Sequence, residues 1–199
     1  GHWEVERTSW DAPIEFSSKV KANLYKNEYH KYITSDPQCL GGYVFLWGAK
    51  QERTPTWYSM FLPDGAKTQA VDVMHYIWKG EWPENRAPIL DSLRIDGRDA
   101  YSDIMVEPGG THTAQVWVRD PDNDSLKVVW ELLHETKDKR TGGDEENKPP
   151  VADYKVIEKK GHRYIFNAPS IPGAYRLFVY VYDQQGNGAH ANIPFYVKQ

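Results

Sequence analysis

The chain has 199 residues, a formal net charge of −4 and a single cysteine. One cysteine excludes an internal disulfide and a cysteine-based zinc site, and a mildly acidic chain with scattered Lys and Arg carries no electrostatic footprint for nucleic acid. No apolar run approaches the roughly 18 residues of a membrane span. Eight tryptophans and thirteen tyrosines make the chain rich in aromatics. Six of the tryptophans precede Pro83 (Trp3, Trp10, Trp47, Trp57, Trp78 and Trp82), so the two parts differ in kind, and Trp-rich faces suit carbohydrate or protein partners. The start, Gly1-His2-Trp3, lacks an initiator Met. It is expected to be a cut end and gives no information about export.

Residues 1–16 are irregular in pattern, with Pro13 interrupting. Ser17 or Ser18 can cap a helix expected to run to about Ser35, where Asp36-Pro37 stops it. Ala22, Tyr25, Tyr29, Tyr32 and Ile33 give it one apolar face. Tyr43-Val44-Phe45-Leu46-Trp47 follows two glycines, and a continuous β-favouring run of this kind predicts a strand buried on both faces. Gly48 ends it, and Lys50, Gln51, Glu52 and Arg53 form a polar loop before Trp57–Phe61. A second helix is expected over Lys67–Lys79, burying Ala70, Val73, Met74, Ile77 and Trp78, with Gly80 at its C-terminal turn. Helix, buried strand, loop, helix is the grammar of a β/α fold, although a full barrel needs about 250 residues. Residues 83–88, with two prolines, read as an extended, stiff linker.

After Pro88 the pattern is all β. About seven short strands are separated by turns at Asp96-Gly97, Pro108-Gly109-Gly110, Asp120–Asp124, Pro172-Gly173 and Gln185-Gly186-Asn187-Gly188. That spacing predicts an antiparallel β-sandwich of immunoglobulin type over 89–199. Thr136–Ala152 reads as a long mobile loop. Asp120-x-Asp122-x-Asp124 has the look of a calcium loop, but Ser125-Leu126-Lys127 supplies neither the glycine nor the glutamate of an EF-hand. The commoner reading is a turn whose Asx side chains bond the backbone. The seven histidines form no HExxH pair, so no zinc site is expected. No nucleotide or hydrolase fingerprint is present either.

The strings GHWEV, APIE, YVFLWG, KQERTPTWY, AVDVMHYIW and WPENRAP, in this order, resemble the end of a glycoside hydrolase barrel of the family-2 type. VRDPDNDSLKVVWEL and SIPGAYRLFVYVYDQQGN resemble bacterial Ig-like modules of the PKD or cadherin-like kind. The resemblance implies a partial, TIM-barrel-derived β/α segment over 1–82, linker 83–88 and an Ig-like module over 89–199. It makes Tyr43–Trp47 the last barrel strand and Trp47 the floor of a sugar subsite, with core filler as the alternative role for Trp47. An indole covering about 100 Å² of a sugar's C–H face contributes about 2.5 kcal/mol at most. Gln51, Glu52 and Arg53 would join Trp47 at the rim, with Trp3 and Trp57 nearby. An Arg53 partner would suit Glu52 to binding rather than proton donation.

Retaining glycosidases need two carboxylates about 5 Å apart. In this family they arise upstream of the region matched, and Glu4 is the one residue placed to stand in for the nucleophile. The chain is therefore expected to be the non-catalytic C-terminal part of a secreted or periplasmic, carbohydrate-acting hydrolase without a cofactor, its Ig-like module serving as spacer or scaffold. The alternatives are an independent carbohydrate-binding or adhesion module using exposed tryptophans, and a purely structural domain. A barrel cut to its last third leaves strand edges and apolar faces uncovered. Residues 1–82 are then expected to pack on the sandwich, pair with another copy of the chain, or move.

Overall fold

The computed structural model describes residues 5–137, 140, 144 and 146–199. It is mostly β, with two α-helices and two four-stranded sheets. Helix α1 covers Ser18–Tyr29 and runs on into a π-helical turn, His30–Thr34; helix α2 covers Gln69–Lys79. The strands are β1 (Ile89–Ile95), β2 (Met105–Val106), β3 (Thr111–Arg119), β4 (Lys127–His134), β5 (Lys155–Lys160), β6 (Arg163–Asn167), β7 (Gly173–Tyr182) and β8 (Gly188–Val197). One sheet has the order β1-β3-β6-β5 and is antiparallel throughout. The other has the order β2-β8-β7-β4, in which only the short β2–β8 pair is parallel.

The two sheets share one core. Leu90, Leu93, Ile95, Val116 and Phe166 from the first meet Leu132, Leu177, Val179, Ile193 and Phe195 from the second. Trp130 of β4 stacks flat on Tyr164 of β6, with ring centroids 5.1 Å apart. Side chains on a strand alternate between its faces. Residues 175, 177, 179 and 181 of β7 therefore join this core, while Arg176, Phe178 and Tyr180 point the other way. Those residues are buried as well, because a second layer covers the outer face of the sheet. Leu62 and Ala66 pack on Leu133, Phe178 and Tyr180. Lys67 N–H donates to Gly186 O, and Gly188 N–H donates back to Lys67 O. At Gly188 the layers touch so closely that a Cβ would lie 2.5 Å from Leu62 Cδ1.

The helices begin and end where the caps require. Ser17 Oγ accepts from Val20 N–H, and Thr68 Oγ1 accepts from Ala70 N–H. Gly80 adopts φ 79° at the end of α2, a left-handed turn that favours glycine. Met60, Ala70 and Met74 make a small separate core against Tyr25, Tyr29 and Ile77. Two expectations for these helix faces are corrected: Tyr32 and Trp78 are exposed, not buried.

The largest correction concerns Tyr43–Trp47, which forms no strand. Its neighbour on one side is the 58–61 stretch: Leu46 N–H donates to Tyr58 O and Met60 N–H to Leu46 O. Neither sheet includes the run. A pairing of two short stretches outside any sheet is marginal as β structure, and Tyr43, Phe45 and Trp47 stand exposed.

The stretch read as a stiff linker is fastened along its length. Asn85 Nδ2 donates to Asp124, Arg86 N–H to Asp122 and Ala87 N–H to Asp72. The described end of the 136–152 loop is also tied down rather than free. Lys148 pairs with Glu131 at 2.6 Å, His134 N–H donates to Pro150 O and Ala152 N–H donates to Leu132 O.

Candidate functional site

Two constellations stand out, one sealed and one open. The sealed one lies between the outer face of β7–β8 and the N-terminal layer. Glu15 sits at its centre. One carboxylate oxygen takes Lys21 Nζ at 2.5 Å and Thr56 Oγ1 at 2.8 Å; the other takes Thr54 Oγ1 and Asn192 Nδ2, each at 2.6 Å. Lys21 also donates to Thr56 O. Arg176 extends the network: it donates to Asn192 Oδ1 at 2.6 Å and Pro13 O at 2.7 Å, and forms a salt bridge with Glu135 at 2.9 Å.

Burial alone would raise the Glu15 pKa, but the Lys21 ammonium and the converging donors outweigh it and hold the carboxyl at about 2. Burial pushes Lys21 down from its ordinary value against the pull of Glu15. His190, completely enclosed, is pushed down to about 3 by burial and by the nearby Lys21. Buried ions this well satisfied position backbone rather than perform chemistry. With its side chain 1% exposed, Glu15 meets no substrate. The network joins Pro13, Glu15, Lys21, Thr54 and Thr56 to β7 and β8, and so braces the N-terminal layer on the sheet.

The open constellation is aromatic. Trp47 and Trp78 are both 51% exposed, and their rings lie 5.9 Å apart at 39°. Phe61 supports Trp47 edge-on at 5.3 Å, and Tyr58 supports Phe45 at 5.6 Å. Tyr43 and Leu40 are exposed as well. The structure thus pairs Trp47 with Trp78, which the helix pattern had placed inside.

The other expected site residues fare differently. Trp57 is 3% exposed and so offers no ligand surface; its indole packs edge-on to Tyr58. Glu52 pairs with Lys50 at 3.1 Å instead of with Arg53. Arg53 takes a left-handed φ of 61°, and its N–H donates to Glu146, which is itself buried. Gln51 is half-buried, and both its amide atoms are shut off from solvent. The rim expected from Gln51, Glu52 and Arg53 is therefore a folded bend turned toward Lys50 and Glu146. Trp3 and Glu4 lie outside the described residues.

The aspartates at 120–124 serve the backbone. Asp120 Oδ1 accepts from the N–H groups of both Asp122 and Asp124, Asp122 accepts from Arg86 and Asp124 from Asn85. Their oxygens are engaged as an Asx turn that grips the connecting segment. Among the described residues, no cluster of three His, Cys, Asp or Glu side chains is arranged to hold a metal ion. No described helix is long and apolar enough to cross a membrane.

Sequence reading missed Glu15, Lys21, Arg176, His190 and Asn192. A signal for them was present: Arg176 interrupts the apolar run Tyr175–Tyr182, and a charge inside such a strand needs a buried partner.

No protein-family model matches the chain, and no curated protein matches it. Among solved structures the chain is similar to a nucleoside hydrolase-related hypothetical protein from Saccharophagus degradans that is associated with carbohydrate metabolism. The identity is 16% and the TM-score 0.42, over 64% of this chain and 29% of that one. A likeness of that size supports no statement about this chain's activity.

Proposed function

We propose that the chain is the non-catalytic C-terminal part of a saccharide-cleaving protein of the family-2 glycoside hydrolase type, secreted or periplasmic. Its two-sheet unit is an Ig-like scaffold module. The exposed pair Trp47–Trp78, on a layer braced by the Glu15–Lys21–Arg176 network, carries this reading. Indole faces backed by other rings are rigid, and they cover the C–H face of a sugar at low entropic cost. The sequence strings around Trp47 support the family assignment.

The direct test is a titration of intrinsic fluorescence with neutral oligosaccharides at millimolar concentration. A saturable change is expected, lost in Trp47→Ala and Trp78→Ala and kept in Trp117→Ala, an exposed indole on β3. A response that survives both substitutions in the pair overturns the site. Aryl glycosides should remain uncleaved by the chain. Hydrolysis that disappears in Glu4→Gln would overturn the non-catalytic reading.

The second reading, an independent carbohydrate-binding module, rests on the same exposed pair. It predicts that the chain alone is retarded in affinity gels containing polysaccharide. A scaffold for a larger barrel predicts weak binding to short oligosaccharides and no retardation.

A further inference from the structure

On a different surface, α1, α2, the connecting segment and the first sheet meet around a cleft of about 220 Å³. Four cations from three parts of the chain line it: Lys19 and Lys26 of α1, Arg86 of the connecting segment and Arg119 of β3. The carboxylates beside them are fewer. Asp91 is shared by Lys19 at 2.6 Å and Arg119 at 3.4 Å. Asp72 accepts from Ala87 N–H. Among the described residues, Lys26 and Arg86 enter no ion pair.

What holds these two cations is a stack of rings. Trp82 lies flat on Tyr76, with centroids 4.5 Å apart at 21°. Arg86 Cζ sits 4.0 Å over the Trp82 ring, and Lys26 Nζ lies 5.2 Å from Tyr76 and 5.7 Å from Trp82. The Arg86 backbone is fixed in turn by Asp122. Cation–π contact orients a charge without neutralising it. Two positive groups are thus pre-positioned, with their strongest hydrogen-bonding capacity unused. In a chain of net charge −4, this is a local positive spot rather than part of a basic surface.

We propose that this cleft binds a single oxyanion, the carboxylate or sulfate substituent of an acidic saccharide, with Arg86 and Lys26 as its direct contacts. The oxyanion part stands on the cleft alone; the saccharide part rests on the reading of the Trp47–Trp78 pair. The volume is below the roughly 300–1,000 Å³ of pockets that enclose a whole small ligand, which suits one charged substituent with the rest of the sugar outside. A guanidinium matches the two oxygens of a carboxylate or sulfate in one plane. Trp82 has Tyr76 and Arg86 against its ring and acts as a support, not as a sugar platform.

Two titrations separate the parts. Inorganic sulfate, followed through the Trp82 indole N–H resonance, tests the cleft without a sugar. A saturable shift is expected, absent in Arg86→Gln and weakened in Lys26→Gln. Calorimetry then compares neutral, carboxylated and sulfated forms of one oligosaccharide. The charged forms should bind about tenfold more tightly, as charge-assisted hydrogen bonds allow, and lose that margin in Arg86→Gln and in high salt. Trp47→Ala should weaken all three forms equally. If sulfate shifts the resonance but no oligomer binds, the saccharide reading fails and the oxyanion cleft remains. If sulfate gives no saturable shift and charged forms bind no better than neutral ones, the proposal is overturned. Single-stranded DNA binding with the same Arg86 dependence would also overturn it, in favour of a phosphate-backbone site.

Discussion

Two apolar runs in this chain read alike and end differently. Tyr175–Tyr182, broken only by Arg176, and Tyr43–Trp47 are both β-favouring and rich in aromatics. The first becomes β7, paired on one side with β8 and on the other with β4 and covered on both faces. The second stays irregular and leaves Tyr43, Phe45 and Trp47 exposed. A run of this composition states that burial is favourable, but neighbours on both edges and both faces decide whether it happens. Where they are missing, the apolar face stays open for an outside partner.

The sharpest way to break the covered region is at its charged centre. Glu15→Gln leaves Lys21 enclosed without a counter-ion, and removing one member of a buried pair costs about 3–5 kcal/mol. Against a typical total of about 5–15 kcal/mol, urea denaturation should show a severe loss or an unfolded chain. Gly188→Ala comes next. It drives a methyl group to 2.5 Å from Leu62 Cδ1, and such overpacking costs about 1–3 kcal/mol.

Acid should loosen the same region by a graded amount. His190 has a pKa of about 3 when folded against an ordinary 6.5. Below pH 6.5 the unfolded chain takes a proton that the folded chain refuses, and stability falls until about pH 3. Glu15, at about 2 against 4.5, acts in the same sense lower down. Its contribution is complete above pH 4.5 and is lost as pH falls through about 2. Asp72 opposes them. Burial pushes it up to about 6 from 3.8, against the pull of the Ala87 N–H and Arg86, so its contribution is complete below pH 3.8 and is lost as pH rises through about 6. Between about pH 6 and pH 4 His190 and Asp72 nearly cancel, so thermal melts should hold there and drop below about pH 4, and in His190→Leu the melts should rise as pH falls from 6 to 4. The smallest effect belongs to the open region: Trp47→Ala should change stability by no more than about 0.5 kcal/mol while removing the saccharide response.

Much of the fold was legible because local rules agreed with one another. Ser17 and Gly80 mark helix ends, and the Asp-Gly and Pro-Gly turns separate the strands. The covered outer face of β7–β8 was harder to read. Arg176 signals a buried partner without naming it, and His190 and Asn192 look like ordinary surface residues until Glu15, about 175 positions away in the chain, is placed beside them. Trp57 and Trp78 exchanged expected roles for a related reason. A helical or aromatic pattern identifies which residues prefer burial, but the position of the next layer selects which of them obtain it. At the candidate site, Trp47 was singled out from its sequence surroundings, while its neighbour Trp78 required the packing of α2 against the 44–61 stretch. The Lys26–Tyr76–Trp82–Arg86 stack is carried by α1, α2 and the connecting segment, and only Trp82 and Arg86 share one sequence string.

Hydrogen exchange measured residue by residue tests the contrast most directly. Amides of 54–62 should exchange with the same opening free energy as those of β7 and β8, because the Glu15 network makes them one cooperative unit, while 39–47 exchange far faster. If 54–62 exchange as fast as 39–47, well ahead of β7 and β8, the N-terminal layer is not braced on the sheet and the account fails.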